Sequence, residues 1–505
     1  MESKKKVFII GGGISGLTSA IYLLDNDYEV TIFEKHEIVG GLCTGWKRNG
    51  NYIDGCAHFI VGTSKKSELY PLWYHIGAFT DDTKFYETEY FVKYAIDDEI
   101  ITFYADLDKL EKELLRVGPD DKRQIKSFIK GIKRYQLVKI PVDKPLDMMN
   151  LFELTKFGIT MLPLLPKLYK YKHQSVLEFA NKFKSPYLKE LFSRIIYKKF
   201  NIHSVFYLFQ AFSQKDGAIM EGGSLKMAQR VGNKFKEKGG ITRTDSEVEK
   251  IIVKDNKACG VKLKNGEILE ADYIISAADI HHTLYDLLDN KYRDKDFDEI
   301  LGNRKAYPLN LCTSVAFNYT NKEIEIPKMI SIKSLGLDLC GEKIDEIVIR
   351  NFDFDKTLNK DDHRTLTIMV RVCEDTYNKL ASLSKDDYNK EKNRFGEKMR
   401  QIIINHFKLN DQDLTTLDVA TPLTYERYTN NYKGSFMSAI TTKESHGLMK
   451  KGIIKGLNNF VLAGQWLMLP GGLPIAIFTG KHAAIRVCKM DNKKFINKEE
   501  VKKQK

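Results

Sequence analysis

The sequence predicts an α/β fold in which a parallel-sheet domain is interleaved with an α+β domain under a helical cap. Three observations predict it. A glycine-rich turn joins a short apolar strand to a helix and a second strand between Val7 and Glu34, the arrangement of a βαβ unit. Apolar and polar residues alternate again, far along the chain, between Gly239 and Asp279. A second glycine-rich strand-to-helix junction stands near the other end, between Phe460 and Gly480. With 505 residues the chain is several times the ~150 expected per domain, so it has length for more than one core.

Taken in order, Val7–Ile10 reads as a buried parallel strand, Ile14–Leu24 as a helix packed on it and Glu29–Glu34 as the next strand. Residues 106–212 follow a helical period, with Lys156, Lys167, Lys170, Lys172 and Lys182 set among Leu, Phe and Tyr, which predicts the helical cap. Residues 239–279 read as strands with a hairpin turn at Asn265-Gly266. Between about Asn303 and Leu423, strands at Ser314–Asn318, Glu346–Asn351 and Thr365–Val372 and one helix at Lys385–Phe407 suit a sheet that floors a cavity. The expected organisation is therefore a discontinuous first domain (1–80, 216–290 and 430–490), a second domain (81–215 and 291–429) and a basic tail, 491–505.

Composition narrows the class. Hydrophobic residues at 43% and aromatic residues at 11% exclude a disordered or fibrous chain. The formal charge of +13 suggests an anionic surface as partner, although a Lys-rich compositional bias accounts for it equally well. No zinc-finger spacing or RNA-binding aromatic motif is present, so nucleic acid is not an expected partner and anionic lipid is the better one. Seven scattered cysteines without a C-x-x-C pair fit a reducing compartment. MESKKK runs straight into the first strand, so no export is expected and a cytoplasmic location is, with peripheral membrane contact. The apolar stretch Phe157–Leu165 is about half the ~20 residues a bilayer span needs.

Gly11, Gly13 and Gly16 carry the G-x-G-x-x-G spacing between strand and helix. Gly11 permits the tight turn, Gly13 lets backbone approach a pyrophosphate, and Gly16 allows close helix–strand packing. The helix N-terminus offers N–H groups and a positive dipole to phosphate. Glu34 ends the next strand about 20 residues on, where a carboxylate accepts ribose hydroxyls. These features predict a Rossmann-like dinucleotide site, and they leave FAD and NAD open.

The residues that follow carry a more specific resemblance. EIVGGL places Gly40-Gly41 past the acidic strand end, YIDGCAHFIVG holds Asp54, Gly55 and His58, and EGGS (221–224) precedes a helix. A strand after it begins at Glu247-Val248. Near the end stand TPLTYERYTNNYKGS (421–435) and NNFVLAGQWLMLPGGLPIAIFTGKHAAIRV. Over nearly the whole chain this pattern resembles the phytoene desaturase and retinol saturase family, within the amine-oxidase-like flavoproteins. The resemblance implies an FAD-binding domain of the glutathione reductase/amine oxidase type, with Asp54, Gly55 and His58 running along the flavin. It implies FAD contacts at Gly11, Gly13, Ile14, Ser15, Gly16, Glu34 and Lys35, at Gly41 and Leu42, at His58, Phe59 and Ile60, and at Val248. It implies a second set at Gly464, Gln465, Gly472, Leu473, Pro474 and Ala476. Gln465-Trp466 departs from the commoner family form, which has small or acidic residues there.

The resemblance further implies an FAD-dependent oxidoreductase that desaturates, saturates or isomerises C–C bonds of a long apolar polyene, isoprenoid or unsaturated lipid, by hydride exchange at flavin N5. Alternatives are an amine-oxidase-like or protoporphyrinogen-oxidase-like flavoenzyme and, outside enzymes, a prenyl-lipid escort. No catalytic residue is assigned. His58 and Trp466 are candidates near the flavin, with a structural histidine and a packing tryptophan as the alternatives. The doublet His281-His282 reads as a surface or capping feature, and no metal site is expected. A single dinucleotide fingerprint leaves the electron donor or acceptor open.

Overall fold

The computed structural model describes residues 3–56, 59–321, 323–359, 364–447 and 449–499. Its first sheet is parallel throughout and is assembled from both ends of the chain. In spatial order it runs Ile241–Arg243, β2 (Glu29–Phe33), β1 (Lys6–Ile10), Tyr273–Ser276 and Phe460–Leu462. The run VFII of β1 lacks alternation because both of its faces are covered. Val7 and Ile9 pack with Leu17 and Ile21 of helix α1 (Ile14–Asp25), with Phe235, and with Ile477 of the C-terminal helix Leu473–Met490. Phe8 and Ile10 pack on the opposite face with Val248, Ile251 and Val261. Those last three belong to an antiparallel meander, Val248–Lys254, Lys257–Leu263 and Ile268–Glu270. Its second turn contains Gly266, as the sequence predicts; the first turns at Asp255 and Asn256, both at positive φ, which the sequence reading passed over.

The second sheet has eight strands, with Leu309–Tyr319, Arg364–Val372 and Glu346–Asn351 adjacent and antiparallel at its centre. Alternation divides its faces. Val315, Phe317, Ile347, Ile349 and Ile368 bury themselves with Phe395, Met399 and Ile403 of the helix Lys385–Phe407. Cys312, Val348, Arg350, Met369 and Arg371 face a cavity on the other side. Two further helices, Glu374–Ser382 and Pro422–Thr429, accompany the one the sequence predicts in this region.

Helices Leu107–Val117, Lys122–Tyr135, Pro186–Arg194 and His203–Ser213 form the cap. Its core is aromatic: Phe128 meets Phe192 edge-on with centroids 4.8 Å apart, and Phe103, Phe179 and Phe206 complete it. The helix Leu151–Met161 is of another kind. It begins on a reciprocal cap between Asn150 and Glu153, yet none of its residues is buried. Among the described residues, no helix is long and apolar enough to cross a membrane.

Candidate functional site

Two glycine-rich turns meet over the end of the parallel sheet. In the first, Gly11 leaves β1 at φ 98 and donates its N–H to the Phe33 carbonyl at 2.9 Å, fixing the turn to β2. Gly16 packs so tightly that a Cβ there would lie 2.1 Å from the Gly11 carbonyl oxygen, whereas a Cβ on Gly13 would meet nothing within 4 Å. Gly13 thus borders open space at the uncapped N-terminus of α1, where N–H groups are free to bind phosphate. The Glu34 carboxylate accepts N–H bonds from Gly12 at 2.8 Å and His36 at 3.0 Å, which aims it across the end of the sheet.

The glycine pair that follows docks onto this turn. Gly40 donates to the Gly12 carbonyl at 2.9 Å, and a Cβ on Gly41 would lie 3.3 Å from Gly13 Cα. Small residues are needed on both sides of that crossing. Asp54 does not line the cavity. Its carboxylate accepts from Ser224 N at 2.6 Å, Ser224 Oγ at 2.8 Å and Cys56 N at 2.9 Å, and so anchors the start of the helix Gly223–Glu237. The expectation that Asp54-Gly55 runs along the flavin is corrected accordingly: the carboxylate is a helix cap.

The second turn follows the strand Phe460–Leu462. Gly464 lies against α1, where a Cβ would be 3.6 Å from Ser15 Oγ. Gly472, at φ 99, opens the helix Leu473–Met490, which also lacks a side-chain cap and carries Pro474 in its first turn. Ser19 Oγ donates to the Gly480 carbonyl at 3.0 Å, locking the two helices together with both N-termini facing the same space. Gln465 Oε1 accepts the Gly472 N–H at 3.4 Å, so the side chain also stiffens the turn.

That space is one cavity of about 1880 Å³. Gly11, Gly13, Ile14, Ser15, Glu34 and Lys35 line it, as do Gly41, Leu42, Phe59, Ile60 and Val248. So do Gly464, Gln465, Gly472, Leu473, Pro474 and Ala476 of the second turn. Gly16 lies behind the wall, in the helix–strand contact. His58 lies outside the described residues. Lys35 is tied to the Asn430 amide oxygen at 2.7 Å and the Arg427 carbonyl at 3.0 Å, and burial lowers its pKa.

Trp466 lines the cavity and is held in place by its indole N–H, which donates to Asp279 Oδ2 at 2.8 Å. Asp279 also accepts the His281 N–H at 2.8 Å, and burial raises its pKa. The histidine doublet is therefore more than a surface feature: its backbone is capped by Asp279, and the His281 ring is half-buried between Tyr285 and Tyr432 with centroids 4.4 and 3.9 Å away. Residues the sequence reading missed include Arg350 and Arg371, deep in the cavity wall. The strand alternation of EIVIRN and TLTIMVRV sets both arginines on the face opposite the buried Ile and Leu residues, where a solvent-exposed side is expected, so the sequence carries no signal for them.

The residues present fit FAD: an open-sided Gly13, an aimed carboxylate at Glu34, and two helix N-termini converge on one cleft. The cavity exceeds the ~300–1,000 Å³ usual for ligand pockets and continues beyond this cleft under the cap, past Met161, Leu164, Leu168, Tyr197 and Phe200.

A family model described as flavin containing amine oxidoreductase matches residues 14–488. A phytoene desaturase (neurosporene-forming) of Rhodobacter capsulatus is 27% identical over 319 residues, covering 60% of this chain and 58% of that protein. The chain thus spans less than two thirds of that relative's length. A 4,4'-diaponeurosporene oxygenase of Staphylococcus haemolyticus is 21% identical over 509 residues, covering 96% of this chain and 97% of the relative. Among solved structures, cyclohexylamine oxidase from Brevibacterium oxydans superposes with a TM-score of 0.59 over 97% of this chain and 100% of the other, at 13% identity, a likeness of fold.

Proposed function

This chain belongs to the flavin containing amine oxidoreductase family and is an FAD-dependent oxidoreductase, and from that premise we propose that it acts on a carbon–carbon bond of a long apolar polyene, isoprenoid or unsaturated lipid. The observation that carries the reading is the continuity of the dinucleotide cleft with an apolar space beneath the cap. Phytoene desaturases and diaponeurosporene oxygenases among its relatives support the same substrate class.

When bound, FAD supplies hydride exchange at N5. The chain's own residues do the rest. The N–H groups opening α1 hold the pyrophosphate, with Gly13 letting the backbone come close. The Glu34 carboxylate holds the ribose. The N-terminus of Leu473–Met490 presents a positive dipole to the flavin and favours negative charge there. Phe59 is wedged edge-on against Phe91 and Phe212, at 6.0 and 4.8 Å, giving a rigid apolar wall that excludes water. Hydride exchange with an unactivated chain calls for orientation and dryness above all, and the site offers both.

Substrate entry belongs to the same proposal. Leu151, Phe152 and Tyr169 are 81%, 78% and 85% exposed, among Lys156, Lys167, Lys170 and Lys172, while Met161, Leu164 and Leu168 of the same segment line the cavity. An amphipathic, basic surface of this kind rests on an anionic bilayer and passes an apolar chain inward. The test of the reading is anaerobic. Photoreduced holoenzyme is mixed with polyenes, retinoids and unsaturated fatty acids while oxidised-flavin absorbance is followed, and oxidised enzyme is mixed with their more saturated counterparts. Flavin reoxidation or reduction by one lipid class identifies the substrate; inertness to every lipid in both directions overturns the proposal.

A further inference from the structure

Among the described residues three arginines line the cavity, and they are not alike. Arg194 is saturated: it donates to Glu346 at 2.8 Å, Glu190 at 3.0 Å and Ser331 at 3.1 Å. Arg350 is the opposite. Its Nε and Nη1 are buried and have no acceptor among the described residues, none of whose carboxylates pairs with it. Arg371 has one side-chain acceptor, the Asn310 amide oxygen, and likewise no carboxylate; its guanidinium lies over the rings of Tyr197 and Phe200, 5.2 and 5.3 Å from their centroids.

The two arginines share the cavity face of adjacent strands. Arg350 stands opposite Thr367, and Arg371, two pleats further along that strand, stands opposite Cys312 on the next. Both charges act on the Cys312 thiol, which burial pushes up to about 12 against their pull. Burial brings each guanidinium down to about 10, which leaves both charged at neutral pH. A buried cation with free donors and no counter-charge is costly unless an anion completes it. The Nε and Nη1 of Arg350 present no surface to the cavity, so a carboxylate finds its two parallel hydrogen bonds at the fork of Arg371, with Arg350 adding its charge. The wall around it, Met369, Phe436, Tyr197 and Phe200, suits the apolar chain attached to such a group. Asn310 pairs with Met437, whose Cε would lie 3.2 Å from a Cβ on Gly472, so Arg371 sits toward the cofactor end of the cavity.

We propose that Arg350 and Arg371 form an anion site for a terminal carboxylate, so that the substrate is a long unsaturated acid and not a neutral hydrocarbon. This rests on reading the cavity as an apolar-substrate site. The same guanidiniums could instead serve an oxygen of the flavin, and the experiment separates the two. Oxidised holoenzyme is titrated with oleate and retinoate and with their methyl esters, read by perturbation of the flavin absorbance, in the wild type and in Arg350→Met and Arg371→Met. Removing the unpaired buried charge of Arg350 does not threaten the fold, whereas Arg371→Met also strips a donor from the Asn310 amide oxygen, so the fold of each variant is checked by its denaturant midpoint.

The expected result is an acid affinity at least about tenfold above that of the ester, falling by about tenfold or more in each variant while ester affinity stays within about twofold. Equal binding of acid and ester by the wild type overturns the anion site and leaves the apolar-substrate reading standing. An acid preference that survives both substitutions, with a shifted flavin reduction potential, assigns the arginines to the cofactor and also overturns the proposal. If neither acid nor ester binds, the apolar-substrate reading fails, and the anion site with it.

Discussion

Gly13 and Gly16 occupy one turn, yet a methyl group added to each meets different surroundings, and the contrast isolates cofactor binding from folding. At Gly13 the backbone is extended, at φ −72 and ψ 176, and a Cβ meets no atom within 4 Å. Alanine at a helix N-cap costs a few tenths of a kcal/mol to about 1, and the reduced freedom of the unfolded chain returns about 0.4–1, so the apoprotein of Gly13→Ala should match wild type within about 1 kcal/mol. The same methyl stands where the backbone must approach the pyrophosphate. Losing one charge-assisted hydrogen bond costs about 1.5–3 kcal/mol, which is about 10- to 150-fold in FAD affinity. At Gly16 the methyl would lie 2.1 Å from the Gly11 carbonyl oxygen, a backbone atom of the turn itself. Relief requires the turn to move by more than about 1 Å, and overpacking of this kind costs about 1–3 kcal/mol or more. Gly16→Ala should therefore lose both FAD and stability. Denaturant midpoints of the apoproteins and fluorescence titration with FAD give both quantities. A Gly13→Ala variant that binds FAD within about twofold of wild type would refute the placement of the pyrophosphate.

Three further outcomes are expected. Burial pushes the Asp216 carboxyl up to about 6 although Ser64 N and Ser67 Oγ donate to it at 3.0 and 2.9 Å. Between the ordinary carboxylate pKa near ~4 and about 6 the folded state retains a proton that the unfolded chain has released, so its contribution to stability falls as pH rises through that window. Asp216→Asn should flatten the slope by on the order of 1–2 kcal/mol, allowing for partial exposure, and identical slopes in denaturant midpoints from pH 4 to 7 would count against it. Trp466→Phe removes a donor from a buried carboxyl and should lower stability by about 1–3 kcal/mol; Trp466→Phe with an unchanged midpoint would show the bond to be idle. Replacing Leu151 and Phe152 by Ser should leave the fold intact and lower co-sedimentation with anionic liposomes by roughly severalfold; binding equal to wild type would move the membrane surface elsewhere.

The parts legible in the sequence are those in which backbone chemistry restricts the residue. Gly11 and Gly16 are compelled by a positive φ and a close carbonyl, so the first turn announces itself. The lysine-studded helical stretch and the helix Lys385–Phe407 follow from period alone. Long-range side-chain pairing leaves no such trace. Asp54 sits beside glycine as a flavin-facing residue would, and only the fold brings Ser224 to its carboxylate. The cradle of Asp279 around Trp466 and the stacking of His281 on Tyr432 depend on residues distant in sequence. Arg350 and Arg371 look like exposed ends of half-buried strands until the cap closes over their face.

The order of strands in the parallel sheet carries a consequence for synthesis. β1 is made long before the helix Leu473–Met490 that grips its helix α1, and before the edge strand Phe460–Leu462. The strand VFII gains its sheet neighbours from residues 29–33 and 273–276, but one of its faces stays without the cover of Ile477 until the helix Leu473–Met490 has been made. Native packing of α1 must wait for a long loop closure, which makes folding slow and leaves early intermediates prone to self-association. The cofactor cleft is completed in that step, so a ligand that bridges the two glycine turns acts as a fastener on an early and a late segment at once.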